Sequence, residues 1–192
     1  MREVATTAIL DAAEQVASEQ GLVGARIEEI ARRAGVAVGT LYNYFADRDT
    51  LMAAMKAARR AELLAALEQA LVSAHGRPFR EQLEVFLHAQ LSFYEKHRQF
   101  FAVLFGTDGG SARPPNDLLR DIHALAEKLV RRGLREGALR PDHTALYPGL
   151  LFSIVRGAAI SELQRKQPAP LTDLVIPLAK LFLHGAATEH EL

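Results

Sequence analysis

The stretch Ile27-Glu28-Glu29-Ile30-Ala31-Arg32-Arg33-Ala34-Gly35-Val36-Ala37-Val38-Gly39-Thr40-Leu41-Tyr42-Asn43-Tyr44-Phe45 decides how this 192-residue chain is read. Ile27, Ile30, Ala31 and Ala34 recur at the three- and four-residue spacing of an amphipathic helix, over about 27–33. A second short helix follows over about 38–44, with Leu41 and Phe45 one turn apart on its inner face. Ala34-Gly35-Val36-Ala37 joins the two, and Gly35 permits the positive φ that a tight corner demands. Two short helices around such a corner make a helix-turn-helix, in which the second helix enters the major groove of DNA and the first braces it. Glycine corners between helices are common, so the specific signal lies in the second helix. Its outward residues are Gly39, Thr40, Asn43 and Tyr44, with Tyr42 on the flank, where an ordinary solvated helix carries Glu and Lys. Hydroxyl and amide groups suit phosphates and base edges, and a glycine lets a backbone approach closely.

Outward from this stretch the pattern stays helical. A first helix is expected over about 6–20, with Ile9, Ala13, Val16 and Ala17 inward and Gly21 as its stop. Asp47 is a credible N-cap for a long helix over about 48–75, some 40 Å at 1.5 Å per residue, with Leu51, Met55, Leu64, Leu67 and Leu71 inward. All eight prolines lie at or beyond Pro78, at segment edges, and divide the remainder into helices over about 78–96, 98–105, 115–137, 142–165 and 171–187. Residues 106–111, rich in Gly, read as the most open connection. No strand-type alternation interrupts the series. The expected fold is all-α, about nine helices, with a three-helix DNA-binding headpiece over 1–46 and a larger helical body over 47–192.

Composition narrows the function classes. With 49% apolar and 24% charged residues the chain is ordinary for a folded protein. No uninterrupted apolar run reaches membrane-spanning length, and the N-terminus, with Glu3 and Asp11, carries no cleavage-site pattern, so a cytoplasmic location is expected. The absence of cysteine removes disulfides, thiolate metal sites and cysteine nucleophiles. No two of His88, His97, His123 and His143 stand four residues apart around a helical Glu, the spacing a zinc site would need, so no metal or cofactor is expected. No nucleophile elbow, Ser-His-Asp spacing or phosphate loop is visible, which argues against an enzyme. The net charge is zero, and residues 1–50 carry five arginines against eight carboxylates. There is no global basic field, and DNA binding must rest on local arrangement. Lys56, Arg59 and Arg60 read as a solvated face of the fourth helix, and Glu28-Glu29 as helix solubility.

The composite Ile27-Glu28-Glu29-Ile30-Ala31, Ala34-Gly35-Val36, Gly39-Thr40-Leu41-Tyr42-Asn43-Tyr44-Phe45 and Leu51 closely resembles the headpiece of the tetracycline-repressor (TetR) family of transcriptional regulators. Farther on, Gly137-Ala138-Leu139-Arg140-Pro141-Asp142, followed by a helix carrying Gly157, resembles that family's regulatory domain more weakly. The resemblance implies that Thr40, Tyr42 and Tyr44 contact phosphates or base edges and that Gly39 lies against the DNA backbone. It further implies that Val38 and Asn43 take part in readout and that Arg48 meets a phosphate. The chain departs from the family at Ala37 and Arg26, where Ser or Thr usually caps the two helices; Arg26 can offset its lost cap by binding phosphate. Six to ten phosphate contacts would give a salt dependence of about −5 to −9 on a log–log scale.

The body carries two further readings. Seven of the thirteen Phe and Tyr residues fall between 79 and 105. Part of this set is expected to line an apolar cavity for a small hydrophobic or amphipathic effector, formed by Phe86, Tyr94, Phe101, Phe105 and Phe152 with His88, His123, Tyr147 and Arg156 as polar anchors. Gly149, Ser153, Gly157 and Ser161 recur every four residues, a stripe that lets another helix approach. With Leu174, Leu178, Leu181 and Phe182 it is expected to form a homodimer interface, a four-helix bundle across two copies. Together these imply a ligand-responsive repressor that binds a palindromic operator on double-stranded DNA as a dimer. A TetR-like module with a non-transcriptional DNA-binding or protein-interaction role is the alternative.

Overall fold

A computed structural model of the chain describes residues 2–105 and 116–186. The segment 106–111 singled out above lies outside them. Among the described residues there are nine α-helices and no strand: α1 (Arg2–Gly24), α2 (Ile27–Ala34), α3 (Val38–Tyr42), α4 (Arg48–Ser73), α5 (Phe79–Lys96), α6 (Arg98–Phe105), α7 (Asn116–Arg135), α8 (Tyr147–Leu163) and α9 (Val175–Ala186). Gly21, at φ 78° and ψ 159°, breaks α1 at the expected stop, and a short turn completes it. Asp47 caps α4: its Oδ1 accepts the Thr50 N–H at 2.7 Å, which holds the Asp47 carboxyl below its ordinary pKa. The region expected as one helix over 142–165 starts later. His143 takes a left-handed φ of 57°, a 3₁₀ turn spans Thr144–Leu146, and only then does α8 begin, with Pro148 in its first turn. A second 3₁₀ turn, Leu171–Leu174, leads into α9.

Two compact units are formed. The first holds α1, α2, α3, the first half of α4 and α6, with α1 packed on α2 and on α6. Its interior is Ile9, Ala13, Val16, Ile30, Leu41, Leu51 and Met55, all but closed to solvent. This unit runs past residue 46 to Glu62 and takes in α6. The second unit holds the rest of α4, α5 and α7 to α9. In it α7 packs on α8, and α5 on α9 and the 3₁₀ turn before it. Gly133 makes a close approach possible here: a Cβ on it would sit 2.7 Å from the Phe79 ring and 2.8 Å from Leu139.

Along α4 the buried series is Leu51, Met55, Leu63, Leu67 and Leu71, so Leu63, not Leu64, is the inward leucine. The same four-residue step passes through Arg59. Far from being solvated, Arg59 is 12% exposed and forms ion pairs with Asp11, Glu14 and Glu62. Lys56 remains exposed.

Candidate nucleic-acid interface

Helices α2 and α3 are joined by three residues, Gly35 to Ala37. Gly35 adopts φ 69° and ψ 28°; its N–H donates to the Arg32 carbonyl at 3.3 Å and the Val36 N–H to the Ala31 carbonyl at 3.0 Å. This paired closure satisfies the last carbonyls of α2 and requires a left-handed residue at the corner, which is why glycine stands there. Leu41 is fully buried beneath α3, and Phe45 nearly so. The helix tightens as it ends: Tyr44 N–H reaches the Leu41 carbonyl at 2.9 Å and Phe45 N–H the same oxygen at 3.0 Å.

The opposite side of α3 is open. Gly39, Thr40, Tyr42 and Asn43 are exposed, whereas Val38 and Tyr44 are half-buried. A Cβ on Gly39 would meet nothing within 4 Å, so no contact within the chain calls for glycine here. Arg26 and Ala37 stand at the N-caps of α2 and α3 in extended conformation, and neither side chain caps its helix. Arg26 is exposed and pairs with no carboxylate among the described residues.

The other described arginines around the helix-turn-helix are engaged. Arg33 grips Glu19 with two hydrogen bonds of 2.6 and 2.5 Å and reaches Glu29 at 2.9 Å. Arg32 holds Glu29 at 2.8 and 2.6 Å. The hydrogen bonds from Arg32 and Arg33 bring the Glu29 carboxyl down to a pKa of about 2. Glu29 therefore anchors the last turn of α2 as well as giving it solubility. Arg48, expected at a phosphate, turns inward: its guanidinium donates to the carbonyls of Leu22, Val23 and Ala25. A surface cleft of about 480 Å³ is lined by this turn together with Arg26, Tyr42 and Arg48.

The residues expected around an effector fall into different settings. Phe86, Tyr94, Tyr147 and Phe152 are buried in the second unit, with Arg156 half-buried. Burial raises the Tyr94 hydroxyl's pKa, and the Gln90 amide, donating to it at 3.0 Å, and the positive Arg156 oppose the rise without cancelling it. Gln90 is 1% exposed and escaped the sequence reading; its signal was an amide four residues before Tyr94 on an otherwise apolar helix face. Tyr147 donates to the Arg140 carbonyl at 3.1 Å. His88 and His123 are exposed: His88 lies 3.3 Å from the Ser92 hydroxyl, and His123 is tilted over the Phe152 ring at 6.1 Å. Phe101 is buried in the first unit, and the Phe105 side chain lies outside the described residues. A cleft of about 600 Å³ opens between α7 and the start of α8, lined by Arg120, His123, Glu127, Arg131 and Pro148 among others.

The small-residue stripe on α8 also divides. Ser153, Gly157 and Ser161 are exposed, together with Leu146 and Leu150. Gly149 instead faces α7, where an added Cβ would sit 3.3 Å from His123 Cε1. On α9, Leu181 is 60% exposed and Ile176 43%, whereas Leu178 and Phe182 belong to the unit's own core, Phe182 edge-on to Tyr147 at 6.1 Å. Leu174 is half-buried. The segment Thr144–Leu163 is long and apolar enough to cross a membrane by length and composition alone, a test that the core helix of a globular protein also passes.

Residues 9–55 match the family model of the bacterial regulatory proteins of the tetR family. Among solved structures, the fatty acid degradation regulator FadR from Bacillus halodurans superposes with a TM-score of 0.80 at 22% identity, over 93% of this chain and 98% of that one. FadR from Bacillus subtilis, in complex with stearoyl-CoA, gives a TM-score of 0.80 at 18% identity over 93% and 98%. SmeT, the repressor of the Stenotrophomonas maltophilia multidrug efflux pump SmeDEF, gives 0.75 at 22% identity over 97% and 92%. At these identities the likeness is one of fold. Comparison with curated protein sequences gives no match.

Proposed function

We propose, from the premise that this chain belongs through residues 9–55 to the TetR family of bacterial transcriptional regulators, that it binds a palindromic operator as a homodimer and is released by a small effector. The observation that carries the DNA-binding part is the division of α3. Leu41 and Phe45 are buried, while Gly39, Thr40, Tyr42 and Asn43 form an open polar face whose glycine no internal contact requires. Thr40, Tyr42 and Tyr44 supply hydroxyls to phosphates or base edges, Val38 and Asn43 share the readout, and Arg26 supplies an exposed cation. Dimerisation is supported by the apolar surface left on α8 and α9, built from Leu150, Gly157, Ile176 and Leu181.

The effector reading rests on the second unit alone. Phe86, Phe152, Gln90 and Tyr94 are buried in this unit, Gln90 donates to Tyr94, and Arg156 acts on the same hydroxyl; this mixture of apolar and polar side chains would suit an amphipathic molecule. The stearoyl-CoA bound by the Bacillus subtilis neighbour makes long-chain acyl compounds the first class to screen here. The test of the whole reading is selection from a random-sequence duplex pool. Enrichment of a dyad-symmetric site, with half-sites one helical turn or a multiple of it apart, is expected. Failure to enrich any duplex overturns it.

A further inference from the structure

Arg48 opens helix α4, yet its guanidinium serves helix α1. Nε donates to the Ala25 carbonyl at 2.8 Å, Nη2 to the carbonyls of Val23 at 3.0 Å and of Leu22, and Nη1 reaches Asp49 at 3.2 Å. A guanidinium has five N–H donors, so these four bonds use most of its capacity, although the side chain is 32% exposed. Helix ends leave carbonyls of this kind to be satisfied from outside. Gly21 alone breaks the helical geometry of α1, and the short helical turn beyond it, which leads into α2, is held at its carbonyls by this side chain from α4.

We propose that Arg48 is a positioning residue for DNA binding and not a phosphate ligand: it fixes the 22–25 turn and thereby sets Arg26, at the start of α2, against Tyr42 in the cleft that the three share. The proposal rests on the DNA-binding reading above. It follows from geometry that lysine cannot replace arginine here. An ammonium keeps the charge but is a single point, whereas the planar fork spans three carbonyls and a carboxylate at once. A phosphate ligand would behave in the opposite way, because phosphate binding by a point charge tolerates lysine.

The experiment uses a duplex that the wild-type chain selects from a random-sequence pool, titrated over a range of salt concentrations. Arg48→Lys and Arg48→Gln are expected to weaken binding alike, by roughly tenfold, the order of one lost charge-assisted hydrogen bond, with an unchanged log–log salt slope. Arg26→Gln is expected to make that slope shallower by about 2 for a dimer, since two phosphates lose their cation. Wild-type affinity in Arg48→Lys, or a slope in Arg48→Gln that flattens as in Arg26→Gln, overturns the proposal. A readout that needs no DNA guards against misfolding of the glutamine variant: amide hydrogen exchange at 27–30 is expected to quicken in Arg48→Lys while its thermal midpoint holds. Unchanged exchange there also overturns the proposal. A wild-type chain that selects no duplex defeats the DNA-binding reading itself, and is told apart because the exchange difference does not depend on DNA.

Discussion

His97 Nδ1 lies 2.6 Å from Glu14 Oε1, while Arg59 takes the other oxygen of the same carboxylate, so that one acid of α1 is held by a residue of α4 and by the residue that leads into α6. Arg59 also pairs with Asp11, and Glu62 stands 3.5 Å from His97 Nε2. Glu14 and Arg59 are each 12% exposed and His97 6%. Burial would raise the Glu14 pKa, but the hydrogen bonds from His97 and Arg59 outweigh it, and the net direction is downward.

Breaking this cluster at Arg59 should cost far more than a surface pair. Arg59→Met leaves Glu14 buried without its arginine partner, and a loss of about 3 kcal/mol in urea unfolding is expected. The pH dependence follows from the lowered carboxyl. A folded pKa below the ordinary 4.5 adds stability that is complete above the unfolded value and is lost as pH falls through the folded one. Wild-type stability should therefore decline below about pH 4.5, and Glu14→Gln should show a shallower decline there. Equal acid limbs in the two proteins would remove Glu14 from the account.

Substitution of Gly39 separates folding from DNA binding. A methyl group there meets nothing within 4 Å in the chain, so Gly39→Ala should melt like the wild type or slightly higher, as helix propensity favours alanine. If a DNA backbone lies against this position, the same methyl should lower affinity by roughly tenfold, about 1.4 kcal/mol. Tyr42→Phe, lacking only the hydroxyl, should weaken all duplexes alike, whereas Asn43→Ala should change the preference among them if it reaches a base. Gel-shift titrations of the three variants on two duplexes decide the matter; identical behaviour would undo this assignment of roles.

The salt dependence should be gentler than residue counting suggests. Of the described arginines around the helix-turn-helix, Arg32 and Arg33 are paired with carboxylates and Arg48 with carbonyls, which leaves Arg26 as the exposed one without a carboxylate partner. Two headpieces then neutralise roughly two to four phosphates, and the log–log slope should fall at about −2 to −4, not −5 to −9. Hydroxyls and backbone amides carry the other contacts without releasing counterions. A measured slope steeper than −5 would mean that DNA draws Arg32 or Arg33 away from Glu29.

How far the sequence could be read follows from where its signals are local. The corner at Gly35, the stop at Gly21 and the cap at Asp47 were legible because each is dictated by a few adjacent residues. Arg59 was misread as solvated because its charge was weighed before its place in the Leu51, Met55, Leu63, Leu67 step, where the four-residue period alone called for burial. The carboxylates that make the burial tolerable come from α1, more than forty positions away, and no local pattern announces them. The resemblance points Arg48 at a phosphate; in the structure its guanidinium meets main-chain oxygens and Asp49, and main-chain acceptors are recorded in no side-chain pattern. On α9, Leu178 and Leu181 look alike in sequence; only packing sends one inward and the other out.

Gly133 offers a stability test in the second unit that leaves the headpiece untouched. An alanine Cβ there would lie 2.7 to 2.8 Å from Phe79 and Leu139, with the aromatic ring held by its own burial. Overpacking of this kind costs about 1–3 kcal/mol. Gly133→Ala should therefore lower the unfolding midpoint, and Gly133→Ala with Phe79→Leu should recover part of the loss. A fully stable single variant would show that Phe79 moves aside freely.

The dimer is the prediction on which the operator reading depends, because one headpiece on one half-site binds weakly. Only 33% of the most apolar window in Thr144–Leu163 is buried within the chain. Leu146, Leu150, Ser153, Gly157 and Ser161 lie exposed along it, with Ile176 and Leu181 exposed on α9. Small residues on such a face let a second helix approach closely, and branched apolar residues beside them supply the area that association needs. Gly157 gives the cleanest test. A Cβ there meets nothing within 4 Å in the chain, so Gly157→Leu should leave the fold of the single chain intact. In a close-packed interface the same leucine would force the helices apart and shift the protein towards monomer. Leu181→Glu should do likewise by burying a charge, whereas Phe182→Ala, which removes a core ring edge-on to Tyr147, should destabilise the chain itself by about 3–5 kcal/mol. Sedimentation of the three variants beside the wild type at micromolar concentration separates these outcomes. A monomeric wild type ends the dimer claim, and a dimer indifferent to both Gly157→Leu and Leu181→Glu would place its interface on another face.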